Sequence, residues 1–393
     1  MSRRPIDRSP VLKKLRDEGY DIEVVDGYLI LHDVPYVTAQ IEVKRGVLLA
    51  PLDLVDDVAL PPSDHQAKWS GEAPCNEDGT EMQGLGQTSS PMTISGHAVS
   101  LNFSCKPTPS GKYDDFHHKM TQYVDKISGP AYAIDPTMTA KTYNPRPADP
   151  EDSVFLYEDT ASSRAEIVAI NDKLKQLRIG IVGLGGTGSY VLDFVAKTPV
   201  KEIHLFDGDT FDQHNAFRAP GAAAGEELAL RSKKVFFHAG VYAKLRRGTI
   251  PHPTLITPDT AEQLQGLDFV FLCMEGTGKR PVVEKLELMG IPFVDVGMGI
   301  TINNNQLRGQ LRTTTSTPTT RSHVHSKQRI AFKTQEEANE YDKNIQVAEL
   351  NALNAALAVI KWKKLFGFYA DDEREHFSVY VISGNESINE DQE

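Results

Sequence analysis

The sequence contains few cysteines, no closely spaced pair of them and no long apolar run. Its three cysteines, among 393 residues, are Cys75, Cys105 and Cys273. This spacing excludes a disulfide framework and a Cys-x-x-Cys zinc site, and it is typical of a reducing compartment. The first 20 residues lack the apolar core of a signal peptide, and no stretch approaches a membrane span. We therefore expect a soluble cytoplasmic protein without membrane partners.

Positive charge is also scarce. The 42 lysines and arginines are outnumbered by 54 aspartates and glutamates, so that the net charge is −12. Acidic side chains are concentrated in residues 371–375 and 386–393. This balance disfavours nucleic acid as a partner and favours either simple solubility or a partner with a basic surface.

The length of the chain predicts two or three domains. Residues 135–152 contain four prolines and few apolar side chains, which indicates a linker. We therefore place a smaller α+β domain at residues 1–150 and a larger domain at residues 151–393. The role of the first domain is open, and docking of a partner is the more modest interpretation.

Two dipeptides of the first domain predict tight turns between strands. Asp26-Gly27 separates two short apolar stretches, which is typical of a hairpin. Arg45-Gly46 separates residues 36–42 from residues 47–52, both of which alternate like strands.

His65 and Cys75 lie in a turn-rich stretch and allow two interpretations. A thiolate beside an imidazole base would be a nucleophile. Nothing in the sequence places the base beside the thiol, so we favour a loop over a small sheet.

The second domain alternates apolar strand-like and helical stretches, which predicts a doubly wound, mainly parallel Rossmann-like α/β sheet. A Thr-rich stretch at residues 307–315 predicts an added antiparallel or edge strand. The predicted strands are residues 179–182, 202–206, 254–257, 268–274 and 292–296, and the predicted helices are residues 165–177, 189–197, 226–247, 280–289 and 335–368.

The most informative stretch is residues 179–188, Ile-Gly-Ile-Val-Gly-Leu-Gly-Gly-Thr-Gly. An apolar strand leads into a glycine turn, and residues 189–197 continue with helical spacing. This order lets backbone N–H groups and a helix N-terminus approach a phosphate. The glycines alone are a weak signal, but the flanking pattern favours a nucleotide site.

Asp207 follows the next strand and lies 19 residues after Gly188. A carboxylate there could hold a ribose in either a dehydrogenase or an ATP-using enzyme. Asn215 and Arg218 favour the ATP-using enzyme, because an amide and a guanidinium can reach a triphosphate.

Taken together, these motifs resemble the adenylating domain of ubiquitin-activating enzymes and of the thiamin and molybdopterin adenylyltransferases. The resemblance covers roughly residues 160–365. It implies that ATP, with Mg²⁺, adenylates the C-terminal glycine of a ubiquitin-like protein and that pyrophosphate is released. It also implies a homodimer, and it leaves a ubiquitin-conjugating-like protein as a further candidate partner. The motif consists of Gly183, Gly185, Gly186, Gly188, Asp207, Asp209, Asn215 and Arg218.

The resemblance implies a role for each of these positions. The glycines would approach the ATP phosphates, and Asp207 would hold the ribose hydroxyls. Asn215 and Arg218, with a following lysine, would neutralise the phosphates. That lysine is Lys234 or, alternatively, Lys233, and Arg164 would be donated across the dimer.

Two departures from the family pattern are present. Glu275 stands where the family has a metal-binding aspartate, so a longer carboxylate would hold Mg²⁺. The crossover segment, residues 312–326, has no cysteine, and Arg312 stands where the thiol would be. Thr313, Pro318 and His323 match a variant register, so the segment either accepts an acyl group on a hydroxyl or only covers the site.

We therefore predict an adenylyltransferase for the C-terminus of a ubiquitin-like protein. Conjugation is favoured over sulfur transfer, because no cysteine or zinc cluster serves persulfide chemistry. A sulfur-carrier adenylyltransferase, an NAD-dependent Rossmann oxidoreductase and a nucleotide-binding scaffold without turnover are the alternatives.

Overall fold

The structure is a computed structural model that describes residues 4–145, 147–148, 150–275, 278–332 and 345–392. The chain divides into two compact units, Met1–Arg146 and Pro147–Glu393. Within the described residues, no helix has both the length and the apolar character that crossing a membrane requires.

The first unit is an antiparallel sheet with one long helix packed on it. Its elements are α1 (Arg4–Arg8), α2 (Pro10–Asp17), β1 (Ile22–Val25), β2 (Tyr28–Val37), β3 (Val43–Pro51), β4 (Leu54–Val55), β5 (Val58–Ala59), β6 (Gln66–Ser70), β7 (Thr88–Ile94), β8 (His97–Ser104) and α3 (Phe116–Ile134). Six strands form the sheet in the order β1-β2-β3-β6-β8-β7. Apolar side chains of α3, among them Phe116, Met120 and Tyr123, are buried in the same core as the sheet.

One of the two turn predictions in this unit is confirmed and the other is wrong. Val25 pairs with Tyr28, so Asp26-Gly27 is the turn of the β1–β2 hairpin. Residues 45 and 46, in contrast, lie inside β3. A Cβ on Gly46 would lie 2.4 Å from the Trp69 ring, so this glycine makes room for the indole and does not form a turn.

The second unit consists of one sheet with helices on both faces. Its elements are α4 (Thr160–Arg164), α5 (Val168–Asn171), β9 (Arg178–Val182), α6 (Gly186–Ala196), β10 (Glu202–Phe206), α7 (Gln213–Ala216), α8 (Gly225–Ala229), α9 (Lys234–Tyr242), β11 (Thr249–His252), β12 (Phe269–Leu272), α10 (Lys279–Met289), β13 (Phe293–Asn303), β14 (Gln306–Ser316), α11 (Ser322–Ser326), α12 (Ala348–Leu365), β15 (Phe377–Val381) and β16 (Glu386–Glu390), with single 3-10 turns at Asp172–Leu174 and Ala261–Leu264.

The strand order of this unit is β11-β10-β9-β12-β13-β14-β15-β16. The first five strands are parallel, and the last three are added in antiparallel pairs. Apolar residues of α6, α9 and α12 pack in one core, and those of α10 pack in another. The predicted Rossmann-like architecture and the antiparallel strand at residues 307–315 are confirmed.

Several element boundaries differ from the prediction. The single helix predicted at residues 226–247 is divided into α8 and α9, with Arg231 between them at φ +47°. The strand predicted at residues 254–257 lies instead at Thr249–His252. Proline has no N–H to donate to a neighbouring strand. Pro251 is tolerated in β11 because β11 lies at the edge of the sheet and has a neighbouring strand on one side only.

Two predicted helices are shorter than the sequence pattern suggested. Residues 165–177 contain α5 and a 3-10 turn in place of one continuous helix. The final helix is Ala348–Leu365, and residues 335–344 of its predicted range lie outside the described residues.

The topology gathers several strand ends at one edge of the sheet. The chain progresses outward in opposite directions from β9 and β12, which are neighbours. In open parallel sheets a ligand binds outside the carboxyl ends of the strands at such a switch point. The glycine turn follows β9, Asp207 follows β10 and Glu275 follows β12, so these groups share that edge.

Candidate active site

The glycines of the turn have different reasons for lacking a side chain. Gly183 has φ +90°, and a Cβ there would lie 2.8 Å from the Cys273 carbonyl oxygen. A Cβ on Gly188 would lie 1.9 Å from the Gly183 carbonyl oxygen. A Cβ on Gly185 would meet nothing within 4 Å in the part of the chain that the structure describes. Gly183 and Gly188 therefore allow the turn to pack, whereas Gly185 leaves open space at the N-terminus of α6.

The first turn of α6 is also close to α12. A Cβ on Gly186 would lie 2.2 Å from Nδ2 of Asn351, and Thr187 donates a hydrogen bond of 2.9 Å to Oδ1 of Asn351. Asn351 is fully buried. Sequence reasoning missed Asn351, since its contact with the glycine turn spans more than 160 residues of chain.

Asp207 connects the glycine turn to the segment after β10. Its side chain is buried and accepts hydrogen bonds from the Leu184 N–H at 2.7 Å and the Asp209 N–H at 2.8 Å. Two backbone donors thus orient the carboxylate. Each oxygen retains a second lone pair for a further donor, such as a ribose hydroxyl.

The structure distinguishes the two candidate lysines by their positions. Lys234 is buried, with Nζ 2.8 Å from an Asp209 carboxylate oxygen and 3.7 Å from one of Asp207. Lys233 is exposed, and its Nζ donates to the Gly208 carbonyl oxygen at 2.6 Å. Lys234 is therefore the lysine that the fold brings to the Asp207 carboxylate.

His238 lies one turn after Lys234 on α9 and is buried, and its Nε2 has no hydrogen-bond partner within the described ranges. Burial, and secondarily the charge of Lys234, lowers the pKa of His238 to about 4. The unfolded chain binds a proton near pH 6.5, whereas the folded chain does not until about pH 4. Above pH 6.5 the imidazole is neutral in both states, so it does not lower the free energy of unfolding. As the pH falls from 6.5 toward 4, only the unfolded chain takes up the proton, and the free energy of unfolding decreases.

We expect His238→Leu to reduce this acid sensitivity. Between pH 7 and pH 4 the wild type should lose on the order of 3 kcal/mol more unfolding free energy than the variant. Urea denaturation at several pH values measures the difference. His214→Leu, at an exposed histidine, is the control and should leave the pH dependence unchanged. Equal slopes in wild type and His238→Leu would contradict the prediction.

Asn215 and Arg218 carry buried nitrogen donors. Asn215 is buried at the end of α7, and its Oδ1 accepts the Asp212 N–H at 2.9 Å. Its Nδ2 and the Nε of Arg218 are buried without a hydrogen-bond partner among the described residues. Because buried donors are normally paired, these two groups fit an anionic ligand that supplies the acceptors.

The two remaining predicted residues occupy less enclosed positions. Glu275 is half-buried and lies three residues after the end of β12, directly before residues that lie outside the described ranges. Arg164 is exposed and is the last residue of α4, upstream of β9.

A buried group of charges was not found by sequence reasoning. Asp295 is fully buried in β13 and pairs with Nζ of Lys279 and with the Arg312 guanidinium, both at 2.6 Å. The sequence does contain an indication of this group, because a carboxylate inside the apolar strand Phe-Val-Asp-Val needs a cationic partner. Arg312, at the position expected for a thiol, thus pairs with an aspartate.

Two of the three cysteines, Cys75 and Cys105, are buried, and Cys273 is partly exposed. Burial raises the pKa of the Cys75 thiol, with smaller contributions from Glu81 and Asp78, and burial likewise raises the pKa of Cys273. His65 bonds to the Ser104 hydroxyl at 2.8 Å, which agrees with a structural role.

The hydroxyls of the crossover segment differ in accessibility, because those at its start are buried whereas Thr319 and Ser322 are exposed. Thr313, Thr314 and Thr315 are buried in β14. Buried His323 makes a 2.9 Å hydrogen bond between Nε2 and the Thr315 backbone oxygen, so it does not bond to a hydroxyl there. Burial disfavours an acyl ester on these three threonines, whereas the exposed hydroxyls of Thr319 and Ser322 leave an ester elsewhere in residues 312–326 as a prediction.

Comparison with protein families matches residues 163–373, more than half of the chain, to the ThiF family. The chain belongs to the ThiF family. Residues 10–160 match a second family, described as a domain of unknown function, DUF6791. The resemblance that the glycine, aspartate, asparagine and arginine motif predicted is thus confirmed for the ThiF part of the chain.

A curated relative and several solved structures are also similar to the chain. "Adenylyltransferase and sulfurtransferase uba4" from Aspergillus clavatus is 29% identical over 147 residues, which are 34% of this chain and 28% of that protein. The chain therefore matches less than a third of that relative's length. A crystal structure of E. coli MccB with ATP is 15% identical, covers 57% of this chain and 66% of the other, and has a TM-score of 0.46. For PaaA the values are 15%, 57%, 75% and 0.44.

Proposed function

We propose that this ThiF-family chain is an adenylyltransferase that uses ATP to activate the C-terminal glycine of a ubiquitin-like protein. The observation that carries the proposal is the pair of buried donors on Asn215 and Arg218 that have no hydrogen-bond partner among the residues described. They follow Asp207 in the segment after β10, at the sheet edge where the open space beside Gly185 leaves room for phosphates.

The proposed reaction needs no nucleophile from the protein. An oxygen of the substrate carboxylate bonds to the α-phosphorus of ATP as the bond to the bridging oxygen breaks. The electron pair and the negative charge pass to the leaving pyrophosphate. Arg218, Lys234 and the Asn215 amide would stabilise this charge, and Asp207 would hold the ribose hydroxyls.

The proposal includes a magnesium ion at the same edge of the sheet. The Glu275 carboxylate would hold the ion through oxygen, the ligand atom that Mg²⁺ prefers, and the ion would neutralise phosphate charge. Asp209, whose side chain is 73% exposed, is a second carboxylate near Lys234.

Two classes of substrate protein are candidates. Conjugation of a ubiquitin-like protein is favoured over sulfur transfer because the chain offers no reactive thiol among the described residues. Cys75 and Cys105 are buried, and burial raises the pKa of Cys75 and of Cys273. The match to uba4, whose name includes sulfurtransferase, makes a sulfur-carrier protein the second candidate. In either case the adenylate would be passed directly to a separate acceptor, for which a ubiquitin-conjugating-like protein is one candidate.

We also propose a homodimer in which the exposed Arg164 reaches the site of the partner subunit. Light scattering at micromolar concentration measures the mass, and an active monomer would contradict this part of the proposal.

ATP–pyrophosphate exchange by the full chain tests the proposed function. Exchange should require a candidate ubiquitin-like protein that ends in glycine, and the same protein without its last glycine is the matched control. Calorimetric titrations with ATP and with NAD complete the test. Tight binding of NAD without binding of ATP would refute the proposal and favour the oxidoreductase alternative.

A further inference from the structure

Three potential metal ligands meet on the sheet of the first unit, outside the ThiF part of the chain. Glu23 lies on β1, His32 lies on β2, and His97 is the first residue of β8. One ligand atom from each side chain lies within 4.8 Å of the other two. We propose that these residues bind a divalent transition-metal ion, with zinc as the ion to test.

Strand pairing places the three side chains on one face of the sheet. Glu23 pairs with Ile30 across the β1–β2 hairpin, and His32 follows Ile30 by two residues. His97 precedes Val99 by two residues on β8. Side chains two apart on a strand share a face, and Ile30 and Val99 belong to one small apolar cluster. The ligands therefore lie beside this cluster, on its face of the sheet.

The distance between two of the three ligands already matches that expected around a bound metal ion. His32 Nε2 lies 3.3 Å from Glu23 Oε2. Two ligands bound tetrahedrally to zinc at about 2.0–2.1 Å are roughly 3.3 Å apart. The rings of His32 and His97 are tilted by 55°, with centroids 5.4 Å apart. A ligand nitrogen of His97 lies within 4.8 Å of the ligand atoms of Glu23 and His32, so it would approach by up to about 1.5 Å on binding.

Hydrogen bonds within the protein leave this group only partly satisfied. The Glu23 carboxylate pairs with His32, and the side chains are 27% and 25% exposed. The His97 ring makes no hydrogen bond within the described part of the chain, although it is also half-buried. A cation would coordinate both imidazoles and the carboxylate at once.

The donor set indicates the class of ion and its effect. Imidazole and carboxylate ligands suit zinc and neighbouring first-row divalent ions, and three protein ligands leave a position open for water or a partner side chain. The ion would connect the β1–β2 hairpin to the start of β8. A 2.8 Å hydrogen bond from Ser95 to Asp26 already joins the tips of the two hairpins.

Titration of the chelator-treated full chain with zinc tests the site. Calorimetry should detect one equivalent that is lost or weakened at least about tenfold in Glu23→Gln and in His97→Ala. Cobalt, used as a spectroscopic probe, should give visible absorption bands in the wild type that both variants weaken. Zinc should also raise the melting temperature of the wild type more than that of either variant.

A control variant separates this site from general binding by surface histidines. His118 pairs with Asp114 at 3.1 Å on the surface and offers one imidazole and one carboxylate. His118→Ala should bind zinc as the wild type does. Glu23→Gln preserves the shape of the side chain, so the test does not depend on the folding of the histidine variant. Unchanged zinc affinity and unchanged cobalt bands in folded Glu23→Gln would overturn the proposal.

Discussion

Replacing Arg218 by alanine should slow ATP–pyrophosphate exchange by roughly 10²–10³-fold, as expected when a donor to developing charge is lost. The Nε of Arg218 is buried and has no acceptor among the described residues, so its removal leaves no broken internal bond at that atom. The unfolding free energy should therefore change by less than about 1 kcal/mol. A large loss of rate with little loss of stability is the signature of a residue that acts on the substrate.

A neighbouring arginine provides the matched control for this variant. Arg231 has a side chain that is 73% exposed and pairs with Asp212 at 3.3 Å. Arg231→Ala removes the same charge from the same region and should retain exchange within a few-fold of the wild type. Arg218→Lys should recover part of the rate, because it restores the positive charge but not the planar set of guanidinium N–H donors. Normal exchange by a folded Arg218→Ala protein would remove Arg218 from the site.

Substituting alanine at two glycines of the turn should weaken ATP binding in both cases but destabilise the fold in only one. In Gly188→Ala the new Cβ would lie 1.9 Å from the Gly183 carbonyl oxygen and 3.1 Å from the Cys273 Cβ. Backbone atoms must then move, and we expect a loss of about 2–3 kcal/mol in unfolding free energy. Binding and exchange should be lost along with the turn geometry.

Gly185→Ala is the matched partner of this variant. Gly185 has φ −71°, which any residue adopts, and its Cβ would meet no atom of the described residues within 4 Å. The unfolding free energy should stay within about 0.5 kcal/mol of the wild type. ATP affinity should nevertheless fall on the order of tenfold, because the methyl group occupies space that the phosphates need. Wild-type ATP affinity in Gly185→Ala would show that the phosphates do not approach this part of the turn.

Local patterns explain why much of the second unit could be predicted. A buried parallel strand is a short apolar run, and a glycine turn before a helix can be recognised from about ten consecutive residues. Asp207 was found because its position depends only on the end of the next strand. The same logic failed at α8 and α9, whose residues share helical spacing although the chain breaks at Arg231.

The sequence by itself determined the Rossmann-like class, the glycine turn and the candidate nucleotide residues, since each depends on neighbours in the chain. The tertiary structure alone decided which lysine reaches Asp207, because Lys233 and Lys234 differ only in the direction that the start of α9 gives them. It also decided that Gly46 accommodates a tryptophan ring and that Asp295 is paired twice. These contacts join residues that are distant in sequence, so the sequence pattern around one residue does not identify its partner.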